Sequence, residues 1–131
     1  MTIGEASERS GISQRMIRHY ERIGLIPPPA RRESGYRDYD ARAVHRLCFI
    51  ANARDLGFSL SETGTLLGLW DDRERASAAV KALALDHIAA LEAKIARLEA
   101  MRSTLRDLAG HCHGDDRPDC PILADLASPT R

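Results

Sequence analysis

Two cysteines near the end of the chain have the type and spacing needed for thiol chemistry. Cys112 and Cys120 are separated by seven residues, among which Gly114 and Pro118 favour a bend in the backbone. Such a bend can bring the two sulfurs face to face. Because thiolates bind soft, thiophilic ions, the segment 112–120 is a candidate metal-binding loop.

The charges of the chain are unevenly distributed. Its 131 residues are neutral overall, but residues 9–54 contain ten Arg and four acidic residues, a net charge of +6. Residues 70–131 contain nine basic and eleven acidic residues, a net charge of −2. The positive first part indicates a polyanionic partner. An ordinary solvated charged surface is the alternative.

The apolar segments predict the compartment of the protein. None of them approaches the roughly 18 residues needed to span a membrane, and the start has no apolar signal core. We therefore expect a cytoplasmic protein with no membrane association. Thiols stay reduced there, which favours Cys112 and Cys120 as metal ligands over a permanent disulfide. Cys48 lies in an apolar helical stretch and is expected to be a buried core thiol.

Two short helices are predicted at the start of the chain. Thr2 and Ser13 are the expected N-caps, and Gly11 suits the turn between the helices. The second helix is predicted over about residues 14–23 and is rich in Arg. This arrangement is a helix-turn-helix pattern, which is typical of DNA-binding proteins.

A small hairpin, or wing, is predicted over residues 31–39. Three consecutive prolines, which exclude a helix, precede it, and Ser34-Gly35 supplies its turn. Donors and a planar ring for phosphate contacts come from Arg31, Arg32, Tyr36 and Arg37. The alternative is an exposed charged loop.

Two further helices and one long helix follow. Asp40 and Ser59 are the expected N-caps of helices that end near residues 56 and 70. Residues 78–108 contain no Pro or Gly and carry apolar residues in alternating steps of three and four. This heptad pattern predicts a coiled coil, most simply a two-stranded homodimer. The alternative is a helix that packs against its own head domain, and the pattern fixes neither a parallel nor an antiparallel pairing.

The predicted fold is mainly α. A winged helix-turn-helix head domain over residues 1–70 is followed by a connector at 71–77, a dimerising coiled-coil helix at 78–110, and a C-terminal metal-binding loop and tail at 111–131. The tail contains a short amphipathic pattern at 121–127, which could dock on the head domain and transmit a signal.

The chain resembles the MerR family of bacterial transcription regulators over essentially its whole length. The segments that carry the resemblance are Thr2-Ile-Gly-Glu-Ala, Ile17-Arg-His-Tyr-Glu-Arg-Ile-Gly-Leu-Ile-Pro, Gly35-Tyr-Arg-Asp-Tyr and Arg54-Asp-Leu-Gly-Phe-Ser-Leu. The resemblance implies a winged helix-turn-helix dimer with an antiparallel coiled coil.

Within that family the chain is most similar to the copper-efflux regulator (CueR-like) branch. The Cys112-x7-Cys120 loop matches that branch, and Ser77 stands where branches sensing divalent mercury, zinc, cadmium or lead usually carry a cysteine. The resemblance implies that Ser77 and Lys81 of the partner subunit lie beside the metal loop. From the sequence alone, the alternative is that Ser77 is an N-cap and Lys81 a surface cation.

The number and type of sulfur ligands favour a monovalent ion. A closed-shell monovalent ion such as Cu(I), Ag(I) or Au(I) accepts two thiolates, whereas zinc typically takes four ligands. His111 and His113 flank Cys112 and would need a strained geometry or a second subunit to complete a zinc site. We expect both histidines to be solvated or to lie beside the metal ligands without binding the ion.

The resemblance implies a metal-responsive activator of copper or silver efflux genes that distorts promoter DNA for RNA polymerase. Its partners would be double-stranded DNA, a second copy of the chain and the polymerase. The expected DNA contacts are Arg15, Arg18, Tyr20, Arg31, Tyr36, Arg37 and Arg54. A redox sensor that closes a Cys112–Cys120 disulfide and a metal store without a DNA role are the alternatives. No nucleophile–base pair or phosphate-binding loop indicates an enzyme.

Overall fold

The computed structural model describes residues 1–115 and 118–129. Asp116 and Arg117 of the predicted metal loop, and Thr130 and Arg131 of the predicted tail, lie outside the described residues. The described elements, in chain order, are α1 (Ile3–Ser10), α2 (Gln14–Arg22), β1 (Ala30–Arg31), β2 (Arg37–Asp38), α3 (Ala41–Asp55), α4 (Leu60–Asp71), α5 (Ser77–His111) and α6 (Pro121–Leu126). This mainly helical architecture is the one that the sequence predicts.

Four helices begin at the N-caps predicted from the sequence. The side chains of Thr2, Ser13 and Asp40 accept hydrogen bonds from backbone N–H groups three residues on. Ser59 does the same for the N–H of Glu62, and the Glu62 carboxylate accepts the N–H of Ser59 at 2.8 Å. This reciprocal capping box fixes the start of α4.

The first compact unit of the chain is Met1–Lys81, and it contains a continuous apolar core. Its buried apolar residues come from α1 to α4 and from the segments between them. They are Ala6, Ile12, Ile17, Tyr20, Ile26, Tyr39, Val44, Leu47, Ile50, Ala53 and Leu67.

Cys48 was predicted to be a buried core thiol, and its burial is less complete than that. It packs against the core but is only half-buried, and its thiol lies 3.8 Å from the backbone oxygen of Arg9. Leu47 and Ile50 occupy the centre of the inward face of α3. Cys48 therefore sits at the edge of that face, beside the end of α1.

The predicted wing is present as a short antiparallel hairpin. Ala30 pairs with Asp38 and Arg31 with Arg37. Gly35 has a φ of +88°, a conformation that only glycine adopts freely. With α1 and α2, this hairpin confirms the winged helix-turn-helix head.

The end of α4 is fixed to α3 by one ion pair and one aromatic stack. The Nη1 atom of Arg46 lies 2.8 and 2.9 Å from the two carboxylate oxygens of Asp71. The rings of Phe49 and Trp70 stack with their centroids 4.8 Å apart. Arg75 then donates to the backbone oxygen of Asp72 at 2.9 Å, which shapes the turn before α5.

The second compact unit is Ala82–Arg131, and most of it belongs to α5. This helix has 35 residues, which corresponds to a length of about 52 Å. None of its residues is buried, and most of its large apolar side chains are exposed. Among the described residues, no helix combines the length and apolar character required to cross a bilayer.

Candidate metal and DNA-binding sites

The two candidate metal-binding cysteines lie together at the end of α5. Both are free and half-buried, and the Cys112 thiol is near enough to help lower the pKa of the Cys120 thiol. Cys112 follows the last residue of α5, while Cys120 immediately precedes α6. Gly114 has a φ of +68°, so the left-handed conformation of this glycine helps to turn the chain between them. The loop therefore places two sulfur donors side by side.

The surroundings of Cys120 favour its thiolate form. The backbone N–H groups of Leu123 and, more weakly, Ile122 lower the pKa of the Cys120 thiol, and the Cys112 thiol acts in the same direction. Desolvation opposes this effect, but the net pKa is below the ordinary value. Because metals bind thiolates, this is a suitable setting for a metal ligand.

The histidines beside Cys112 are arranged differently. The Nδ1 atom of His111 lies 2.6 Å from the backbone oxygen of Asp107, one helical turn earlier. His113 is exposed. In the part of the chain that the structure describes, no three His, Cys, Asp or Glu side chains are grouped so that they could hold a metal ion.

Ser77 and Lys81 lie one turn apart at the start of α5, and both are exposed. With Phe49, Trp70 and Val80 they line an open cavity of about 480 Å³ in the first unit. The stacked rings and Val80 make this cavity largely apolar, while Lys81 contributes a positive charge. The side chains of Ser77 and Lys81 are thus available to another molecule.

Most of the predicted DNA contacts are accessible on the head domain. Arg15 and Arg18 are exposed on α2, and Arg54 is exposed near the end of α3. On the wing, Tyr36 is 76% exposed, and Arg31 donates to the backbone oxygen of Gly35 at 2.9 Å. These residues could meet a polyanion without a rearrangement of the core.

Tyr20 does not match the expectation of a DNA contact. It is only 6% exposed and belongs to the apolar core. Its place on α2, three residues after the fully buried Ile17, puts both side chains on the inward face of the helix. The ring of Tyr20 therefore stabilises the head rather than forming part of its outer surface.

Sequence reasoning missed the ion pair between Glu21 and Arg37. The Nε atom of Arg37 lies 2.9 Å from Oε2 and 3.3 Å from Oε1 of Glu21, so the pair joins α2 to the wing. The hydroxyl of the buried Tyr39 lies 3.5 Å from the same carboxylate. An acidic residue on the Arg-rich helix was the available signal, but its partner depends on how the hairpin folds.

Comparison with protein-family models gives matches over most of the chain. Residues 2–39 match the model described as "MerR family regulatory protein", and residues 44–108 match the model described as "MerR, DNA binding". The two segments correspond to the first helices with the wing and to the remainder of the head with most of α5.

Similar proteins and structures give the same assignment. Heavy metal-dependent transcription regulator 2 of Rhizobium meliloti (strain 1021) is 60% identical and covers 98% of this chain and 87% of its own length. The regulator CueR of Salmonella typhimurium is 41% identical and covers 97% of this chain and 92% of its own. The crystal structure of the regulator PbrR691 from Ralstonia metallidurans CH34, in complex with lead(II), has a TM-score of 0.82 at 37% identity and covers 97% of this chain and 99% of its own.

These relatives are transcription regulators, which confirms the expectation that the chain is not an enzyme. Their similarity extends across the winged head, α5 and the cysteine loop. The chain belongs to the MerR family of transcription regulators.

Proposed function

We propose that this regulator responds to a monovalent soft metal ion, Cu(I) or its analogues Ag(I) and Au(I), and activates efflux genes. Cys112 and Cys120 would hold the ion as thiolates. The observation that carries the proposal is the pairing of these two thiols at the junction of α5 and α6. The ion would supply a bridge between two sulfurs that the polypeptide alone leaves unlinked.

The donor set fits a monovalent ion better than a divalent one. Two thiolates suit a soft ion that accepts few ligands, whereas a structural zinc site typically takes four. Ser77 offers no thiolate, so a third sulfur ligand is not available from that position. Two thiolates and a monovalent ion leave a net charge of −1. Lys81 is exposed in the single chain, and in the dimer Lys81 of the partner subunit could compensate this charge.

The relatives support heavy-metal sensing but differ in the metal. One is named a heavy metal-dependent regulator, another bears the name of the copper-efflux branch, and a third was crystallised with lead(II). According to the family resemblance, branches sensing divalent ions usually carry a cysteine where this chain has Ser77, which supports a monovalent ion. We therefore assign the chain to the copper-efflux branch.

The exposed apolar stripe of α5 supports a homodimer. Ile88, Ile95 and Leu98 are between 48 and 54% exposed on a helix with no buried residue. Full burial of one such side chain contributes about 1.5–3 kcal/mol. A second copy of α5 offers the same stripe, and the family arrangement makes the pairing antiparallel.

The head would bind double-stranded promoter DNA in the cytoplasm. Arg15, Arg18, Arg31, Tyr36 and Arg37 would mainly contact phosphates, which makes the affinity dependent on salt. Arg54 is a further contact from α3. The dimer would bend and untwist the promoter so that RNA polymerase can use it, at a cost of about 1–6 kcal/mol for a smooth bend.

The tail is the proposed transmitter. Cys120 lies directly before α6, so any constraint on its sulfur also constrains the start of that helix. Leu123 and Leu126 are 65 and 60% exposed, and they form an apolar face that could dock on the head domain. Truncation after Cys120 removes the N–H groups of Ile122 and Leu123, so it should weaken metal binding without eliminating it, and it should abolish activation even at saturating metal. Activation by the truncated protein would exclude the tail as the transmitter.

A promoter-linked transcription assay tests the proposal. We expect activation by Cu(I) and Ag(I), little response to Zn(II) or Hg(II), and loss of the response in Cys112→Ser. Cys48→Ser is the matched control, since that thiol lies in the head and should leave the metal response unchanged. Equal activation by Zn(II), or full activation of Cys112→Ser by Cu(I), would contradict the proposed site.

A redox sensor is the second candidate, because two neighbouring free thiols can also close a disulfide. Oxidation by diamide would then activate transcription, while Cu(I) and Ag(I) would not. A metal store without a DNA role would bind the metal but fail to shift any DNA duplex.

A further inference from the structure

We infer that Glu21 positions Arg37 of the wing for DNA, so that an acidic residue strengthens binding to a polyanion. This inference rests on the proposed DNA-binding function and adds a positioning residue to it. Glu21 lies on α2, between Arg18 and Arg22, on the helix that carries the exposed arginines. A carboxylate at that place would by charge alone oppose DNA binding.

The geometry shows a directed ion pair rather than a solvated charge. The Glu21 carboxylate accepts from Nε of Arg37 at 2.9 and 3.3 Å and lies 3.5 Å from the hydroxyl of Tyr39. The Glu21 side chain is 13% exposed and that of Arg37 31%. Tyr39 is fully buried, so the carboxylate is held against a fixed part of the core.

The ion pair with Glu21 leaves the terminal guanidinium nitrogens of Arg37 available. Within the described residues, the hydrogen bonds of the Arg37 side chain all run from Nε to Glu21. The guanidinium carries further N–H groups on its terminal nitrogens, and these remain free for an anion. Arg18 and Arg37 together line two open cavities, of about 350 and 410 Å³, on this face of the head.

Holding Arg37 in place lowers the cost of binding. A long side chain that is free to rotate loses conformational entropy when a phosphate orders it, whereas one already held loses less. The same pair links the wing to α2, so both elements present their positive groups in a constant relative position. Glu21 would thus act on DNA only through Arg37.

Charge and positioning predict opposite results for Glu21→Gln. If Glu21 acts as a charge alone, its neutralisation should tighten DNA binding. If it positions Arg37, the variant should bind about tenfold more weakly, which corresponds to roughly 1.4 kcal/mol. The slope of log affinity against log salt concentration should also fall by about one, as it does when one phosphate-binding side chain is lost.

The experiment measures the affinity for a duplex that the unmodified protein has selected from random sequences, over a series of salt concentrations. Glu21→Gln is compared with Arg37→Gln and with the double variant. We expect the double variant to bind no more weakly than Arg37→Gln alone, because both changes remove one interaction. Tighter or unchanged binding by Glu21→Gln, or additive losses in the double variant, would overturn the inference.

Two further variants separate positioning from general charge. Glu21→Asp keeps the charge but shortens its reach, so it should also weaken binding while charge alone predicts no change. Glu33→Gln removes an exposed acidic residue of the wing and should not weaken binding. If the unmodified protein selects no duplex, the proposed DNA function itself fails; if it does and Glu21→Gln binds as well, only the inference fails.

Discussion

The two compact units of the chain differ in where their apolar side chains lie. In Met1–Lys81, residues such as Leu47 and Ile50 are completely buried. In Ala82–Arg131, no described residue is buried, and most of the large apolar side chains of α5 are 37–54% exposed. The first unit completes its own core. The second leaves most of its large apolar side chains exposed.

This difference fits the proposed roles of the two units, which are DNA binding by the first and metal sensing by the second. The head needs a fixed shape to present its arginines, and its caps, core and ion pairs provide that shape. The second unit contains the apolar stripe of the proposed dimer and the two thiols of the proposed metal site.

The largest expected effect comes from a charge in the apolar stripe. Leu98→Asp removes two buried leucines from each proposed dimer, which costs about 4 kcal/mol, or roughly a thousandfold in the dimer dissociation constant. Sedimentation equilibrium should show a monomer whose Trp70 fluorescence still reports a folded head. Ala100→Asp, on the opposite face of the helix, should remain dimeric. A dimeric Leu98→Asp protein would show that α5 does not form the interface.

The next effect is a cavity in the head. Leu47→Ala should lower the free energy of unfolding by about 2–5 kcal/mol, because Leu47 is fully buried. Urea unfolding followed by Trp70 fluorescence measures this loss, which should not depend on protein concentration. Leu105→Ala in α5 is the comparison, and its loss should shrink at high protein concentration. The same concentration dependence for both variants would remove the distinction between the units.

The smallest effect is the pH dependence of the Asp38 ion pair. A hydrogen bond from the terminal ammonium of Met1, at 2.6 Å, and a second from Arg32 lower the pKa of Asp38 below its ordinary value of 3.8. A carboxylate with a lowered folded-state pKa stabilises the fold above the unfolded pKa and loses that effect as the pH falls through the folded one. Asp38→Asn should therefore be less stable than the unmodified protein at pH 7, with a difference that disappears in acid.

Glu33→Gln, on the same wing, provides the control for thermal melting across that pH range. A difference between Asp38→Asn and the unmodified protein that persists below the lowered pKa would show that the pair contributes through shape rather than charge.

Local signals in the sequence were sufficient for the helices of the head. Thr2, Ser13, Asp40 and Ser59 each cap the helix that they were predicted to cap, because a cap depends on backbone groups only three residues away. The wing also follows from a local turn at Gly35.

Features that depend on distant contacts were less predictable. Tyr20 resembled a DNA contact from its place on an Arg-rich helix, yet it packs into the core. The partner of Glu21 lies 16 residues away on the wing, and helical spacing cannot indicate it. The proximity of Cys112 and Cys120 was expected from loop residues, whereas the effect of Leu123 on the Cys120 thiol requires the geometry of α6.

Metal uptake by the purified full-length protein under reducing conditions tests the central claim most directly. We expect one Cu(I) per chain, held in competition with excess Zn(II), and loss of this uptake in Cys112→Ser and Cys120→Ser but not in Cys48→Ser. Preferential uptake of Zn(II), or undiminished Cu(I) uptake by a variant lacking both Cys112 and Cys120, would contradict it.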